Sequence, residues 1–554
     1  MKPEEENRER HNGLPGCVAA FLSELIKHMR YRRLVREEVR AELQSHFAEE
    51  LRACKSEQEK QKKAEDVIAG FGDIKLLATL LRRAKRRCRP PWQTAVVRTA
   101  QVAAVLAVCF IVYVIWFLAG RPVITTDYIA QFNRLVRPPA DESLNAAPFY
   151  TRAAEMLKEP PADIAELLKS EHGDLSAEQK QRLTAWLTEK QEIFDLVAEG
   201  AQKPHYWRTY EGNEGMISVL LPHVRSYRHL SRALGHRAGL LAEEERQEDA
   251  LATIQVCYRH GRHLRAGNKT LVEQIVGMTA ENVAIDAMLG VLSGNPLGPA
   301  RLAVLQKELE GLFVDEDFAV RVEGEKLGIY DEIQRCFTAG RLGGEHLYPR
   351  RLASLGIGDG QGEAVVFDLM ATPRHWGTVA RILFVHPDKA QTRATIDRAY
   401  DVWANWLRKT PAQLRDEGIH INDEMERTVK GNLLLEIMVP ALGRVHELSY
   451  MTKVRFDAAL AIVSLLRYEA EKGRYPENLD ELVAAGYLER LPLDPWSAAP
   501  LTYRRTGEDF LLYGWGENFT DDGGRPGTDR HGDLKRWWAG NGDWVFWPVA
   551  QGDS

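Results

Sequence analysis

Cysteine is scarce: six residues in 554, with no C-x-x-C pair among them. That excludes a disulfide-stapled scaffold, a paired-cysteine zinc site and a thioredoxin-like motif. Catalytic signatures are missing too. H-E-x-x-H and G-x-S-x-G do not occur. The glycine-rich GIGDGQGEAVVF from Gly356 to Phe367 lacks both the Lys-Ser/Thr ending of a phosphate loop and the spacing of a dinucleotide loop, so it reads as a mobile loop. Long apolar runs are absent with one exception, Thr99 to Gly120, TAQVAAVLAVCFIVYVIWFLAG. It carries no charge, and about twenty such residues cross a bilayer as one helix. Nearly all the chain's first hundred residues precede it, which argues against a cleaved signal peptide.

The flanks of this run differ. Arg82, Arg83, Lys85, Arg86, Arg87, Arg89 and Arg98 stand before it, and only Arg121 follows before Asp127. The positive-inside rule then predicts a cytoplasmic N-terminus and export of the rest, to the periplasm in a Gram-negative type of cell. Trp92, Tyr113 and Trp116 suit the two interfaces. Net charge divides the same way. Residues 1–98 hold 22 Lys and Arg against 15 Asp and Glu, a balance of +7, and the remainder balances at −13. The basic side suits anionic inner-leaflet lipid, and the acidic side offers no nucleic-acid footprint. Only Cys257 and Cys336 lie beyond the span, and they either pair or lie buried apart.

Residues 19–88 read as short helices. Val35, Val39, Leu43, Phe47 and Leu51 recur every four positions, the spacing of an amphipathic helix. A second helix carries Ala64, Val67, Ile68 and Phe71; Gly72 ends it and Asp73 starts a third with Ile74, Leu77, Ala78 and Leu81. The strings REEVRAELQSHFAEEL and AEDVIAGFGDIKLLATLL, with their EL-x-x-H segment and FGD turn, resemble the helical prefix domain of bacterial permeases. That resemblance implies an adaptor or regulatory module without catalytic residues, His46 being a surface or half-buried residue.

After a stalk containing Pro122, Pro138 and Pro139, the pattern turns helical for about 300 residues. Ser176 with Gln179 forms a capping box. Leu220, Val224, Tyr227, Ser231, Leu234, Ala238 and Leu241 follow three-four spacing, and the next helix offers Ala250, Ile254, Cys257, Gly261 and Leu264, whose small members permit close helix approach. A third runs from Leu271 through Ile275, Met278 and Val283 towards Met288. Three such helices with short links resemble tetratricopeptide hairpins in architecture, without a clean repeat period, and stacked hairpins present a groove to a partner. His260 and His263 sit three apart without a third ligand, and His223, His229 and His236 read as surface positions. Glu323 and Glu325, near Asp331 and Glu332, are the candidates for acid–base work, against the simpler reading of a solvated helix face.

The C-terminal module is the most specific part. A helix carries Phe456, Leu460, Val463, Leu466 and Ala470 on one face, Gly473 stops it, and a short helix spans about Leu479 to Ala485. Pro492, Pro495 and Pro500 forbid helix. Leu501–Arg504 and Phe510–Trp515 look like paired strands, and the chain closes with GDWVFWPV. The order Gly473, Tyr475, Pro476, Leu479, Tyr487, Leu488, Leu491, Pro492, Asp494, Pro495, Trp496, followed by the acidic loop Asn518–Gly524, resembles the globular head of the type II secretion major pseudopilin. Ser497 stands where that family has glycine, and the polymerising N-terminal helix has no counterpart here. The resemblance therefore implies a borrowed head, without pilus assembly. It also implies a calcium ion in the acidic loop, with Asn518, Asp521 and Asp522 as side-chain ligands and Asp529, Asp533 or, ahead of these, Asp543 closing the shell. Trp496, Trp515, Trp537, Trp538, Trp544 and Trp547 read as a small aromatic core rather than a stacking surface.

The expectation is a mainly α chain with a small C-terminal α+β domain and a single transmembrane helix: a helical prefix over 1–90, a span over 96–120, a stalk over 121–145, an exported helical body over 146–452 and a head over 453–554. The function expected is that of a non-catalytic envelope scaffold or sensor that binds a protein partner. The alternative is a membrane-anchored hydrolase acting on envelope polymer or peptide. A sensor with one crossing helix signals only by rearrangement of a homo-oligomer.

Overall fold

The computed structural model describes residues 13–87, 91–170, 172–212, 215–216, 223–294, 296–312, 318–339, 345–355, 377, 380–440, 442–529, 531–532, 534–535 and 540–549. The chain is mainly helical with a small strand region near its C-terminus. It divides into two compact units, Met1–Trp116 and Phe117–Ser554.

The first unit holds α1 (Gly16–His28), α2 (Arg33–Glu50), α3 (Glu57–Gly70) and α4 (Ile74–Arg87). Val18, Leu22, Leu25, Val39, Phe47 and Ala64 form a core of its own. Local chemistry sets the helix ends. The Ser56 hydroxyl accepts from the Glu59 N–H at the start of α3. Gly72 takes φ +68°, a left-handed turn that a β-carbon would oppose. Then comes α5 (Pro91–Ala119), 29 residues long. Its stretch Ala95–Leu118 has a mean hydropathy of 2.5 and is almost wholly exposed. By length and composition it is able to cross a membrane. A second helix meets the same test, Leu271–Gly294, but two-thirds of it is buried inside the second unit, as expected of a core helix.

The second unit begins by correcting the stalk. Residues 121–126 are not a free connector. The Gln334 carboxamide clasps them, accepting from the Thr125 and Thr126 N–H groups at 3.2 Å and donating to the Thr126 carbonyl at 2.8 Å. Helix α6 (Tyr128–Val136) then buries Phe132 and Val136 against Tyr210. The helical body follows: α7 (Ala147–Leu157), α8 (Gln191–Ala201), α9 (Val224–Glu243), α10 (Gln247–Arg265), α11 (Leu271–Gly294), α12 (Pro299–Leu312), α13 (Glu323–Cys336) and α14 (Lys389–Trp406). The Ser176–Gln179 capping box forms as its spacing predicts. Helices α10 and α11 meet backbone to backbone: a β-carbon on Gly261 would lie 2.7 Å from the Gly277 carbonyl oxygen. This is the close approach that the small residues of α10 foretell.

Helix α15 (Leu442–Lys472) is 31 residues long. The expected boundary between body and head, at 452/453, falls within it. Met451, Val454, Phe456 and Ile462 join residues of α9–α12 and the C-terminal strands in one continuous apolar core. A polar layer ties α15 to α11. Asn282 Nδ2 donates to Thr452 Oγ1 at 2.9 Å, and buried Arg455 pairs with Asp286. Gly473, at φ +72°, stops α15, and a short helix, α16 (Leu479–Ala484), follows. Strand β1 (Thr502–Thr506) pairs antiparallel with β2 (Asp509–Gly514), which pairs antiparallel with the closing strand β3 (Trp544–Trp547). Trp496 and Trp544 meet edge to face at 4.2 Å, and Phe510 stacks on Trp547 at 5.4 Å. These tryptophans are buried, so the described part of the aromatic tail is core. Trp537 and Trp538 lie outside the described residues, as does the Gly356–Phe367 segment.

Candidate functional site

The acidic loop is built by the small sheet. Strand β2 ends at Gly514 and the chain turns through Gly516, at φ +72°, and Phe519, at φ +57°. Gly523 and Gly524, at φ +73° and +81°, then bring it back. Asp543 stands immediately before β3, so the strand pairing delivers it to the loop. Its carboxylate is fully buried and accepts from the Asp522 N–H at 3.2 Å and the Gly524 N–H at 2.6 Å. Asp521 Oδ1 accepts from the Tyr513 hydroxyl and the Gly523 N–H, each at 2.9 Å. Asn518 Nδ2 donates to Asp522 Oδ2 at 2.7 Å. All four residues expected as ligands therefore gather in one loop. Asp533 lies outside the described residues.

The electrostatics of the loop call for positive charge. Among the described residues no basic side chain pairs with Asp521, Asp522 or Asp543. Burial raises the Asp543 pKa to about 6; the two backbone N–H groups oppose this, and the negative charge of Asp521 and Asp522 adds to it. The oxygen chemistry therefore suits a hard cation. The present geometry is that of a clasp: backbone N–H groups occupy oxygens of Asp521 and Asp543, and among the described residues no three carboxylates, imidazoles or thiols converge on one centre. Cation binding would require Asp521 and Asp522 to turn towards a shared point.

The carboxylates considered for acid–base work do not converge either. Glu325 Oε1 accepts from the Leu271 N–H at 2.8 Å at the start of α11, and burial raises its pKa. Glu323, two residues away, is exposed. Asp331 holds the Met216 N–H, Gln334 and Arg335. Fully buried Glu332 forms a two-pronged pair with Arg351, Nε at 2.8 Å. Glu325, Asp331 and Glu332 each serve a different structural bond.

What periodicity misses is a buried polar nest between α7, α9, α10 and α11. Tyr150 Oη lies 2.7 Å from His263 Nδ1. His260, fully buried, sits edge-on to Tyr150 at 4.5 Å and to Tyr227 at 5.4 Å. Neither of its ring nitrogens has a hydrogen-bond partner among the described residues. Burial pushes the pKa of both histidines down to about 3, and their mutual repulsion adds to this for His260. Nearby, the Tyr210 hydroxyl donates to the buried Glu273 carboxylate at 2.8 Å. One cue lay in the sequence, the aromatic segment His205-Tyr206-Trp207-Arg208-Thr209-Tyr210. His236 corrects a reading as well. It is buried, not a surface position, and contacts His172 Nδ1 at 3.4 Å. Cys257 and Cys336 are separate buried thiols in different cores.

No family model, curated protein or solved structure matches this chain.

Proposed function

We propose that the protein is a single-pass membrane protein of the bacterial envelope that acts as a non-catalytic scaffold or sensor, engaging a protein partner through its helical body and C-terminal head. The observation that carries this is α5: a long helix whose apolar side chains, among them Val105, Leu106, Ile111 and Ile115, stand exposed on every side. In water that surface would cost about 25 cal/mol per Å², and hydrocarbon removes the cost. The one-sided basic flank supports a cytoplasmic N-terminus. The shared core of body and head supports a single rigid binding unit, and the scattered carboxylates of α13 speak against the hydrolase reading.

The test is topological. A reporter active only outside the cytoplasm should work when fused after Ser554 and fail when fused before Met1, and the protein should stay in membranes washed at alkaline pH. Recovery in the soluble fraction would overturn the membrane reading; the reverse reporter pattern would overturn the orientation.

We also propose that the acidic loop takes calcium, Asp521 and Asp522 turning in and Asp543 holding the backbone. An ion bound only by the folded form adds its binding energy to stability, about 2.7 kcal/mol at a hundredfold excess over Kd. Calcium titrated into the full chain in detergent should raise its melting temperature, and Asp521→Asn with Asp522→Asn should abolish the rise. An equal rise in the double variant, or none in the parent, would leave the loop as a clasp alone.

A further inference from the structure

Helix α4 carries two different faces. At 100° per residue, Ile74, Leu77, Ala78, Leu81 and Lys85 lie on one side. Ala78 is buried and the leucines pack against the core of the first unit, while Lys85 Nζ bonds Glu38 and Glu42 of α2, each at 2.7 Å. The opposite side presents Leu76, 60 % exposed, Leu80, 51 % exposed, and the exposed Arg83. These three fall within about 60° of arc. Lys75 and Arg82, both exposed, lie together about 80–100° round the helix from Arg83. Among the described residues none of Lys75, Arg82 and Arg83 forms an ion pair, in contrast to Lys85. A helix that only closes a soluble core puts polar residues outward. This one puts out two leucines in a setting of uncompensated positive charge, the composition of a helix lying in a lipid interface.

Chain geometry says which surface is near. Helix α4 ends at Arg87 and α5 begins at Pro91. The link therefore spans at most about 14 Å. Trp92, in the first turn of α5, is 63 % exposed, and tryptophan at that position marks headgroup level. If α5 crosses a bilayer, the C-terminal end of α4 is held within that reach of the headgroups. We infer that the outer face of α4, with Leu76, Leu80 and Arg83 at its centre, lies on the anionic headgroups of the membrane that α5 crosses. The inference rests on the membrane-spanning reading of α5. It assigns α4 a task that the core of the first unit does not require: fixing how that unit sits on the lipid surface, in a manner sensitive to lipid charge.

The test uses the full chain with p-benzoylphenylalanine in place of Leu80, reconstituted into vesicles of phosphatidylcholine alone or with about 30 % phosphatidylglycerol, a charge density typical of anionic membranes. After irradiation, intact-mass analysis counts lipid adducts. The expected result is a yield at least fivefold higher in the anionic vesicles, lost at high salt and lost with Arg82→Glu and Arg83→Glu together. Protein that stays in the vesicles but gives equal yields in both lipids, or none, would overturn the inference. A cross-link to protein in place of lipid would overturn it in favour of a docking partner. Protein that does not integrate at all would instead overturn the membrane reading, and flotation of the vesicles separates that outcome from the others.

Discussion

Lowering the pH from 7 to 5 is expected to destabilise the second unit by several kcal/mol. Among the described residues His236, His260 and His446 are buried in it, and His263 is half-buried. Burial brings His236 and His446 to about 4 and His260 and His263 to about 3. The unfolded chain binds protons at its histidines near the ordinary value of about 6.5. A histidine with a depressed folded pKa thus contributes stability that is present above 6.5 and lost as the pH falls towards the folded value. At pH 5 the loss is on the order of 2 kcal/mol for each. The carboxyls of Glu325, Glu447 and Asp494, raised by burial, act in the opposite sense and offset part of it. Summed over four sites, the loss is a large fraction of the roughly 5–15 kcal/mol that holds an ordinary domain together. Urea unfolding followed by the fluorescence of buried Trp403, Trp496 and Trp544 should show a midpoint much lower at pH 5 than at pH 7. Replacing His260 by phenylalanine removes two nitrogens without partners among the described residues and one titrating group. The His260→Phe variant should lose less stability on acidification than the parent. Equal midpoints at the two pH values would refute the account.

The second large effect is steric. Gly261→Val and Gly277→Val are each expected to cost about 3 kcal/mol or more. A β-carbon on Gly261 would lie 2.7 Å from the Gly277 oxygen and 2.8 Å from the Glu281 nitrogen, and one on Gly277 would lie 2.5 Å from the Gly261 oxygen. These neighbours are backbone atoms of the facing helix and cannot swing aside, so α10 and α11 must part. The buried Arg265–Glu281 pair, 3.3 Å apart, bridges the same crossing. Separating the helices would weaken an ion pair whose desolvation is already spent. Gly290 supplies the control on α11: nothing lies within 4 Å of its absent β-carbon. Gly290→Ala should be stabilising by about 0.5–1 kcal/mol through helix propensity. Similar urea midpoints for Gly261→Val and Gly290→Ala would sink the argument.

Local chemistry was legible where cause and effect lie within a turn or two of chain. The glycines at 72 and 473 end helices because only they adopt positive φ cheaply. Ser176 and Gln179 cap a helix start through a reciprocal bond over three residues. The prolines between 492 and 500 exclude helix ahead of the strands, and the uncharged run of α5 needs no partner to be recognised. Asp521 and Asp522 could be placed in one loop because they are neighbours.

Contacts between distant residues decided the rest. Tyr150 and His263 bond across 113 positions, and Gln334 reaches back 209 positions to the segment read as a stalk. Helical spacing gives the angle at which His236, His260 or Glu332 leaves its helix. It does not give what the neighbouring helix places opposite, and that neighbour sets burial, pKa and role. Many helix ends and the long apolar helix were readable from the chain alone, because those follow from backbone sterics and the hydropathy of adjacent residues. That body and head share one core, that Asp543 is buried with its oxygens on the loop's backbone N–H groups, and that His236 and His260 are buried came from tertiary packing, because each depends on which surfaces meet.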